Sequence, residues 1–532
     1  MKLESKEKRF KRYEQAKTRM DKWRTYLQEA YDYYAPGRSN FREITKGQDR
    51  NDKIFDPIGA QSLMMFANNI QSVLMPPFRR WAELKPGSVI NDPEAQQQID
   101  PKQLDKELQQ QTDTLFKFLN ASNFNLAVSQ ALVDMGISTG ALLINEGTRE
   151  KPLEFTAVPI DHLSVEESAH GKIESVWRTF KMPLRAVMHQ WPHAKLPSNM
   201  SARMKTQPDE EVEIIEGTIH YPDNKEEERY LYYVQLTEHK NDIVTEWRDY
   251  SPWIIFRWSV RTGETLGFGP ALVALSATKV VNKLGELELK AGTFRAYPPY
   301  MVNDSENLNA YNVRIEPASL IPIGGLGLGG QDPIRPIPAN GDPQFAQLQK
   351  QELEATIKEI LFANPLPPSN MPAQTATEVS IRQQNWIRSS GTAFGRLTLE
   401  LLEPVIIKCI KILKKFGLMA NIDVNGKVVS VEYMSPLIDL QQQEDFQRIE
   451  QYIQFFMQIL GPQGLAVATN PIELVEKVGQ LLGVDASILP DRGTLQQMAE
   501  QAVGALQQGQ QQPQVPVPNP IPGAPQQQQG AQ

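Results

Sequence analysis

The stretch that decides the fold is PALVALSATKVVNKLGELELKAGTFRA, residues 270–296. It follows Gly269, and a proline in the first turn is typical of a helix start because proline lacks the N–H that this turn leaves unbonded. Apolar residues then recur at intervals of four and three, which places them on one helical face: Val273, Ala277, Val280, Leu284, Leu287 and Ala291. A second stripe is charged and consists of Lys279, Lys283, Glu286 and Lys290. We therefore predict a helix over 269–296 whose apolar face packs and whose charged face stays hydrated.

A return helix is predicted over 343–363, where Leu353, Ile357 and Ile360 share one face. The insert between the two helices, 297–342, is rich in proline and glycine and predicts irregular or β structure. Its two short predicted strands are 313–315 and 320–323.

A proline-rich loop, NPLPPSNMPAQT at 364–375, follows the return helix. Its four prolines disfavour both helix and central strand, because proline has a fixed φ and no N–H to donate. A capping box at 375–378 then starts a long helix that continues to about Phe416. We expect Pro404 to kink this helix.

Upstream, the sequence predicts helices first and strands afterwards. The helices cover 4–34, 58–75, 101–119 and 124–135. The stretch GISTGALLINEG then has strand character, with a glycine near each end. Period-two alternation between turn signals over 153–258 predicts an antiparallel β insertion, in LEFTAVPI, KIESVWRTF, EIIEGTIHY, RYLYYVQL and WIIFRWSV. Residues 1–24 hold ten Lys or Arg against four Asp or Glu. Because aromatic residues fill the apolar face of this first helix, a docked helix with a hydrated basic face is favoured over a membrane or nucleic-acid surface.

Downstream of the long helix, 422–433 has the pattern of a hairpin around Asn425-Gly426, a type I′ turn signal. Helices are predicted over 440–460, 471–482 and 494–507. The final residues, 511–532, are rich in glutamine and proline and lack charge, so we expect them to be disordered.

Composition narrows the class of protein. A chain of 532 residues with 40% hydrophobic and 22% charged residues predicts a globular protein of two or more domains. The net charge of −8 argues against a protein that grips nucleic acid through its whole surface. Cys409 is the single cysteine, which excludes a disulfide framework and favours a reducing compartment. With no membrane-length apolar run and no secretory signal, we expect a soluble protein.

The sequence motifs that could indicate a nucleotide-binding or metal site are interrupted by proline. Gly325, Gly327 and Gly330 match a dinucleotide fingerprint, but three prolines follow where the phosphate-binding helix would start. His189 and His193 have the spacing of zinc ligands, but Pro192 interrupts the turn. We therefore predict no catalytic residue, no cofactor and no metal site, and no enzyme activity.

Four motifs, taken in order, resemble the portal or head-to-tail connector proteins of short-tailed bacteriophages, the podovirus type. The resemblance covers about residues 50–420 and rests on the order of the motifs, since none is diagnostic alone. The motifs are MPPFRRWAELKPG at 75–87, DMGISTGALLINEG at 134–147, TGETLGFGPALVALSATKVVNKLGELELKAG at 262–292 and QTATEVSIR at 374–382.

This resemblance implies an α+β, mainly helical protomer. Its parts are an α/β wing at 1–268, a stem helix at 269–296, an α/β clip at 297–342, a return stem helix at 343–363, a tunnel loop at 364–375, a long kinked wing helix at 376–420, a helical crown at 421–510 and a disordered tail at 511–532.

The resemblance also implies a dodecameric ring at one capsid vertex, assembled in the host cytoplasm and retained in the virion. Double-stranded DNA would pass through it without sequence preference. The implied protein partners are terminase, major capsid protein, scaffold, tail adaptor and internal core proteins, with no membrane. The alternative is a non-catalytic scaffold or adaptor of another oligomeric assembly.

Candidate DNA-channel residues come from the stem helix and the tunnel loop. A mixed Lys and Glu stripe suits a pore that must not hold DNA, because each neutralised phosphate adds a salt-dependent grip. The same residues also fit a hydrated helix face, and the loop also fits an ordinary surface connection, although long loops of this composition are more often functional. The candidates are Lys279, Lys283, Lys290, Asn364, Leu366, Ser369, Asn370, Met371 and Gln374.

Overall fold

The computed structural model of the chain describes residues 4–38, 54–86, 101–222, 229–238, 241–303, 316–317, 319–323, 334–336, 343–363, 391–420 and 429–433, with short pieces between 446 and 479. The chain divides into two compact units, Met1–Ser435 and Pro436–Gln532. In the second unit the described residues 448–455 are helical, within the predicted helix 440–460. The predicted helices at 471–482 and 494–507 lie almost entirely outside the described residues, and the tail lies wholly outside them.

The four predicted N-terminal helices are confirmed. The Ser5 side chain caps the first helix by accepting from the backbone N–H of Lys8 at 3.4 Å. No helix in the described ranges is both long and apolar enough to cross a bilayer. The four helices are α1 (Lys6–Tyr34), α2 (Ile58–Leu74), α3 (Pro101–Ala121) and α4 (Phe124–Ile137).

Two antiparallel sheets follow α4. The smaller has strand order β3–β2–β9, with β2 (Thr139–Glu146), β3 (Leu153–Ala157) and β9 (Trp253–Arg257). The larger has five strands in sequential order: β4 (Leu163–Glu167), β5 (Ile173–Pro183), β6 (Glu211–His220), β7 (Tyr230–Leu236) and β8 (Asn241–Arg248).

The sequence did not predict β4 and β8. Both are edge strands of the larger sheet, and β8 is polar and largely exposed, so its alternation is weak. A buried ion pair nevertheless holds β8, because Arg9 of α1 lies 2.7 Å from Asp242 and the two side chains are 2% and 8% exposed. Long-range partners of this kind leave no periodic signal in a sequence.

The larger sheet is covered on both faces. On one face, Leu184 of α5 (Leu184–Gln190) and Met200 of α6 (Ser198–Thr206) pack against buried strand residues. On the other face, Tyr13 of α1 packs against Trp177. The main core lies elsewhere and includes α2, α4, the smaller sheet and the helices described next.

The predicted stem helix is α7 (Pro270–Ala296), and its start is fixed by contact with the end of α4. The backbone N–H of Gly269 donates to the Ile137 carbonyl at 3.0 Å, and Ser138 Oγ donates to the Gly267 carbonyl at 2.7 Å. A Cβ on Gly269 would overlap the carbonyl oxygen of Gly136. Two of the four motifs quoted above, at 134–147 and 262–292, therefore contact one another through backbone atoms.

The insert and the return helix follow α7. The strands are β10 (Tyr300–Asn303), β11 (Leu320–Ile323) and β12 (Ile334–Pro336), in the order β11–β10–β12. The strand predicted at 320–323 is thus present, whereas 313–315 and the glycine run at 325–330 lie outside the described residues. The return helix is α8 (Pro343–Ile360), which packs on α7.

The long helix is described only from residue 391, so its capping box lies outside the described residues. Residues 391–397 form α9, and α10 spans Glu403–Lys415. Between them Thr398–Leu402 is a π-helical turn. Pro404 was expected to kink the helix, and this irregular turn lies directly before it, where proline removes one donor and crowds the carbonyl four residues earlier.

Only residues 429–433 of the hairpin predicted at 422–433 lie within the described part of the chain. Its second strand is β13 (Val429–Tyr433), which pairs antiparallel with β1 (Ala82–Pro86), from Ala82 opposite Tyr433 to Pro86 opposite Val429. The turn and the first strand of the predicted hairpin lie outside the described residues. The local turn signal did not reveal this distant strand partner.

A buried polar cluster joins α1 to α4. Tyr31 donates its hydroxyl to Asp134 Oδ1 at 2.8 Å, and Arg38 forms an ion pair with Asp134 Oδ2. Burial raises the pKa of Asp134 to about 6, although both partners act in the opposite direction. We therefore expect the stability of this contact between α1 and α4 to depend on pH.

We predict that Gly269→Ala destabilises the protein by about 1–3 kcal/mol, because the new methyl group overlaps the Gly136 carbonyl. Gly292→Ala is the matched control on the same helix, where a Cβ meets nothing within 4 Å, and it should stabilise by about 0.5–1 kcal/mol. Thermal unfolding midpoints of the two variants measure the difference. Equal midpoints for the two variants would contradict the close approach.

We predict that wild type gains stability relative to Asp134→Asn as the pH falls from 7 towards 4.5. A carboxyl group with a pKa of about 6 in the folded state, raised from 3.8, holds a proton there that the unfolded chain has released. Unfolding midpoints across this range measure the effect, with exposed Asp21→Asn as the control. A wild-type advantage that grows with rising pH would refute the assignment.

Candidate functional site

Helix α7, which packs against α8, holds the described residues that were predicted to line a channel: Lys279, Lys283 and Lys290. The inner face of α7 is tied to the N-terminal helices by polar contacts as well as by packing. Tyr34 Oη lies 2.6 Å from Thr278 Oγ1, and Asn282 Oδ1 accepts from the backbone N–H of Phe55 at 2.7 Å. The buried residues of this face are Ala271, Leu272, Ala274, Leu275, Thr278, Val281, Asn282 and Gly285.

The apolar stripe expected to pack lies on a different face. Val273, Val280 and Leu287 are 53%, 49% and 50% exposed. The prediction that this stripe packs is therefore wrong within the protomer. The helix instead buries a face with many small residues, because small side chains permit the close approach at Gly269 and around Thr278.

The exposed stripe has the spacing of a coiled-coil seam. Val273, Val280 and Leu287 recur every seven residues, and Ala277, Leu284 and Ala291 interleave them at alternating intervals of four and three. We call these six residues the α7 seam. Such a seam can receive the side chains of another helix, and about half of the surface of Val273, Val280 and Leu287 is exposed to water in the isolated chain.

The lysines of the charged stripe on α7 each form an ion pair with a glutamate of the same chain. Lys279 Nζ lies 2.5 Å from Glu29 Oε1 of α1, while Lys283 and Lys290 bind the two carboxylate oxygens of Glu286 at 2.8 and 2.6 Å. Hydrogen bonds from both lysines lower the pKa of Glu286 to about 2. Exposed pairs of this kind add little stability, but they reduce the positive charge that the stripe presents.

Lys350 joins α8 to α7 and to the segment that precedes α2. Lys350 Nζ lies 2.9 Å from Asp56 Oδ2 and 3.4 Å from Glu288 Oε2. Ile357 is fully buried, and Leu353 and Ile360 are partly buried against the main core, as their shared face predicted. The sequence gave no signal for Glu29 or Asp56, because both lie hundreds of residues from their lysine partners.

The long helix is anchored at its π-helical turn. Glu400 in this turn binds Arg257, accepting from Nη2 at 2.7 Å and from the backbone N–H at 3.0 Å. The same guanidinium group donates to the carbonyls of Thr265 at 2.9 Å and Gly171 at 3.1 Å. Arg257 is 2% exposed, so one buried side chain joins the long helix, the segment before α7 and the turn between β4 and β5.

The loop residues predicted for the channel lie outside the described residues. They are Asn364, Leu366, Ser369, Asn370, Met371 and Gln374. In the described part of the chain, no group of three or more His, Cys, Asp or Glu side chains has the arrangement of a metal site. His189 and His193 do not share a helix, because α5 ends at Gln190.

Comparison with known proteins identifies the family. Residues 6–489 match the family described as bacteriophage head to tail connecting protein. The chain is 20% identical over 539 residues to the probable portal protein of Bordetella phage BPP-1, covering 94% of this chain and 93% of that protein. It is 19% identical over 530 residues to the portal protein of Salmonella phage epsilon15, covering 95% and 92%.

Among solved structures, a chain in the virion of a native gene transfer agent particle is similar with a TM-score of 0.34 and 13% identity, covering 75% of this chain and 88% of that chain. The family match carries the assignment, since it extends from α1 into the second compact unit. This chain belongs to the family of bacteriophage head to tail connecting proteins.

Proposed function

We propose that this connector protein works as a closed ring of identical protomers at one capsid vertex, and that the α7 seam is part of the contact between neighbours. The observation that carries the proposal is the half exposure of Val273, Val280 and Leu287 on a helix whose other apolar face is already buried. A heptad seam exposed in a single chain gains stability when another helix covers it. The proposed number of protomers, twelve, is the number that the resemblance to portal proteins implies.

The ring is proposed to be a conduit for double-stranded DNA during packaging and ejection. Support comes from the cation balance on α7, where Lys279, Lys283 and Lys290 are each paired with a glutamate of the same chain. Pairing limits the number of phosphates that the helix neutralises, and with it the salt-dependent grip on passing DNA. The loop 364–375 is proposed to complete the channel surface.

The role is structural, in keeping with the family. The proposed partners of the ring are terminase during packaging, major capsid protein and scaffold during assembly, and the tail adaptor and internal core proteins in the virion. Assembly in the host cytoplasm is part of the same proposal.

We predict that the double variant Val280→Glu and Leu287→Glu abolishes the ring and leaves a folded smaller species. The two carboxylates remain hydrated in the isolated protomer but lose their hydration when a neighbour covers the seam. This loss makes the free energy of ring formation unfavourable. Light scattering after size exclusion measures the mass, and circular dichroism checks the fold.

The matched control is Leu126→Glu, at a leucine of α4 that is 65% exposed and lies outside α7. This variant should assemble as wild type does. The proposal fails if the seam variant still forms rings of the wild-type mass, or if the wild-type chain is a stable monomer at micromolar concentration.

We predict that deleting residues 366–371 leaves ring assembly intact while impairing DNA packaging or retention. The deleted residues supply stiff prolines together with weakly polar and soft apolar groups, which suit a surface that touches a moving backbone. Particles built with the deletion are assayed for nuclease-protected DNA, and deletion of residues 511–532 is the control. Wild-type DNA content in the loop-deletion particles would remove the loop from the channel.

A further inference from the structure

A cavity of about 510 Å³ lies between α1 and the segment before α7, and its lining includes no residue of the α7 seam and no candidate channel residue. Its floor consists of buried apolar side chains, namely Ala16, Met20, Val165 and Leu266. Trp23 and Tyr26 form an aromatic wall, with ring centroids 6.2 Å apart. The apolar floor and the two aromatic rings offer contact for one small apolar side chain within an otherwise polar lining.

The rim of this cavity is predominantly basic. Arg19 and Lys22 project from α1, and neither has an ion-pair partner among the described residues. Arg261 lies on the opposite side, with its guanidinium carbon 3.5 Å from the centroid of the Phe268 ring. The single acid of the rim is Glu264, which accepts from Trp23 Nε1 at 3.2 Å. The rim therefore carries three cations against one anion.

The positive charge extends beyond the rim along the exposed side of α1. The chain as a whole has a net charge of −8, so this face is a local reversal of sign. Electrostatic complementarity of this kind selects acidic partners and accelerates their association. The exposed basic residues of α1 are Lys6, Lys8, Lys11, Lys17, Arg19, Lys22 and Arg24, against exposed Glu7, Glu14 and Asp21.

Cavity shape and the position of Glu264 favour a peptide over nucleic acid. Duplex DNA is a convex rod with evenly spaced phosphates, and it is bound by an extended basic surface rather than by a concavity. The evenly spaced phosphates of a duplex cannot all avoid Glu264, whereas a peptide can place an apolar side chain near Glu264 and its carboxylates near Arg19 and Lys22. The buried apolar floor has no role in phosphate binding.

We propose that this cavity is a docking site for a short acidic peptide segment of another protein, with an aliphatic side chain inserted against Met20 and Leu266. The flanking carboxylates of the segment bind Arg19, Lys22 and Arg261. The cavity shares no lining residue with the α7 seam or with the candidate channel residues, so its test does not require the ring contact or the channel.

The test uses the full-length protein and fluorescein-labelled peptides in fluorescence anisotropy. The probe GEDDILEEDG carries acids around an aliphatic pair, GQNNILQQNG removes the charge, and GEDDSSEEDG removes the aliphatic anchor. We expect saturable binding of the first peptide and binding at least about tenfold weaker for each of the others, because charge and anchor both contribute. Rising salt should weaken the first peptide's binding.

Protein variants locate the site. Arg19→Glu with Lys22→Glu should weaken binding of GEDDILEEDG at least about tenfold. Lys6→Glu with Lys11→Glu makes the same change in net charge on exposed α1 residues outside the cavity, and it should leave the affinity within about twofold. Unfolding midpoints verify that both variants fold, and Arg19→Gln with Lys22→Gln replaces the first variant if it does not.

Three results would overturn the proposal. The first is no saturable binding of GEDDILEEDG to the wild-type protein at about 50 mM salt, where charge attraction is strong. The second is equal loss of affinity in the rim variant and in the control variant, which would indicate diffuse charge attraction. The third is tighter binding of a DNA duplex than of the peptide with the same dependence on Arg19 and Lys22, which would make the surface a nucleic-acid site.

Discussion

The close approach of Gly269 to the carbonyl of Gly136 is the constraint on which the rest of the first unit depends. Because no Cβ fits there, α7 starts directly against the end of α4, and the direction in which it leaves the smaller sheet is fixed. Lys350 then ties α8 to α7 through Glu288. Arg257 connects the segment before α7 to the long helix. A few backbone and ion-pair contacts thus determine where three helices lie.

The sequence predicted the elements with strong local periodicity. The bounds of α1, α7 and α8 follow from capping residues, proline positions and helical spacing, all of which are short-range properties. The β8 strand was missed because an exposed, polar edge strand shows little alternation. The face of α7 that packs was also predicted wrongly. A helix with apolar residues on two faces offers two packing choices, and the glycine contact at its start, which decides between them, is a tertiary feature.

Some candidate site residues could likewise be predicted from local spacing, and others depend on tertiary contacts. The lysine stripe of α7 could be found from its spacing, but Glu29, which pairs with Lys279 at 2.5 Å, could not. Its position on α1 has meaning only after the two helices are packed together. The pairing adds to the interpretation of the stripe as a mixed surface, because each of its three lysines contacts a glutamate. In the DNA channel that we propose, such balance would limit the salt-dependent attraction between the wall and the phosphates.

The π-helical turn at Thr398–Leu402 also keeps the long helix in register with the core. Buried residues recur every four positions across it, at Leu397, Leu401, Val405, Cys409 and Leu413. In a regular α-helix each such step drifts by about 40° around the axis, so four steps would rotate the buried face by about 160°. The wider turn absorbs part of this drift. A π-helical turn holds one residue more than an α-helical turn and leaves the flanking segments in nearly the same relative orientation. A single-residue deletion there would therefore regularise the helix and leave Phe394 packed against the core, whereas the same deletion in the regular part of α10 would rotate one half of the helix by about 100°.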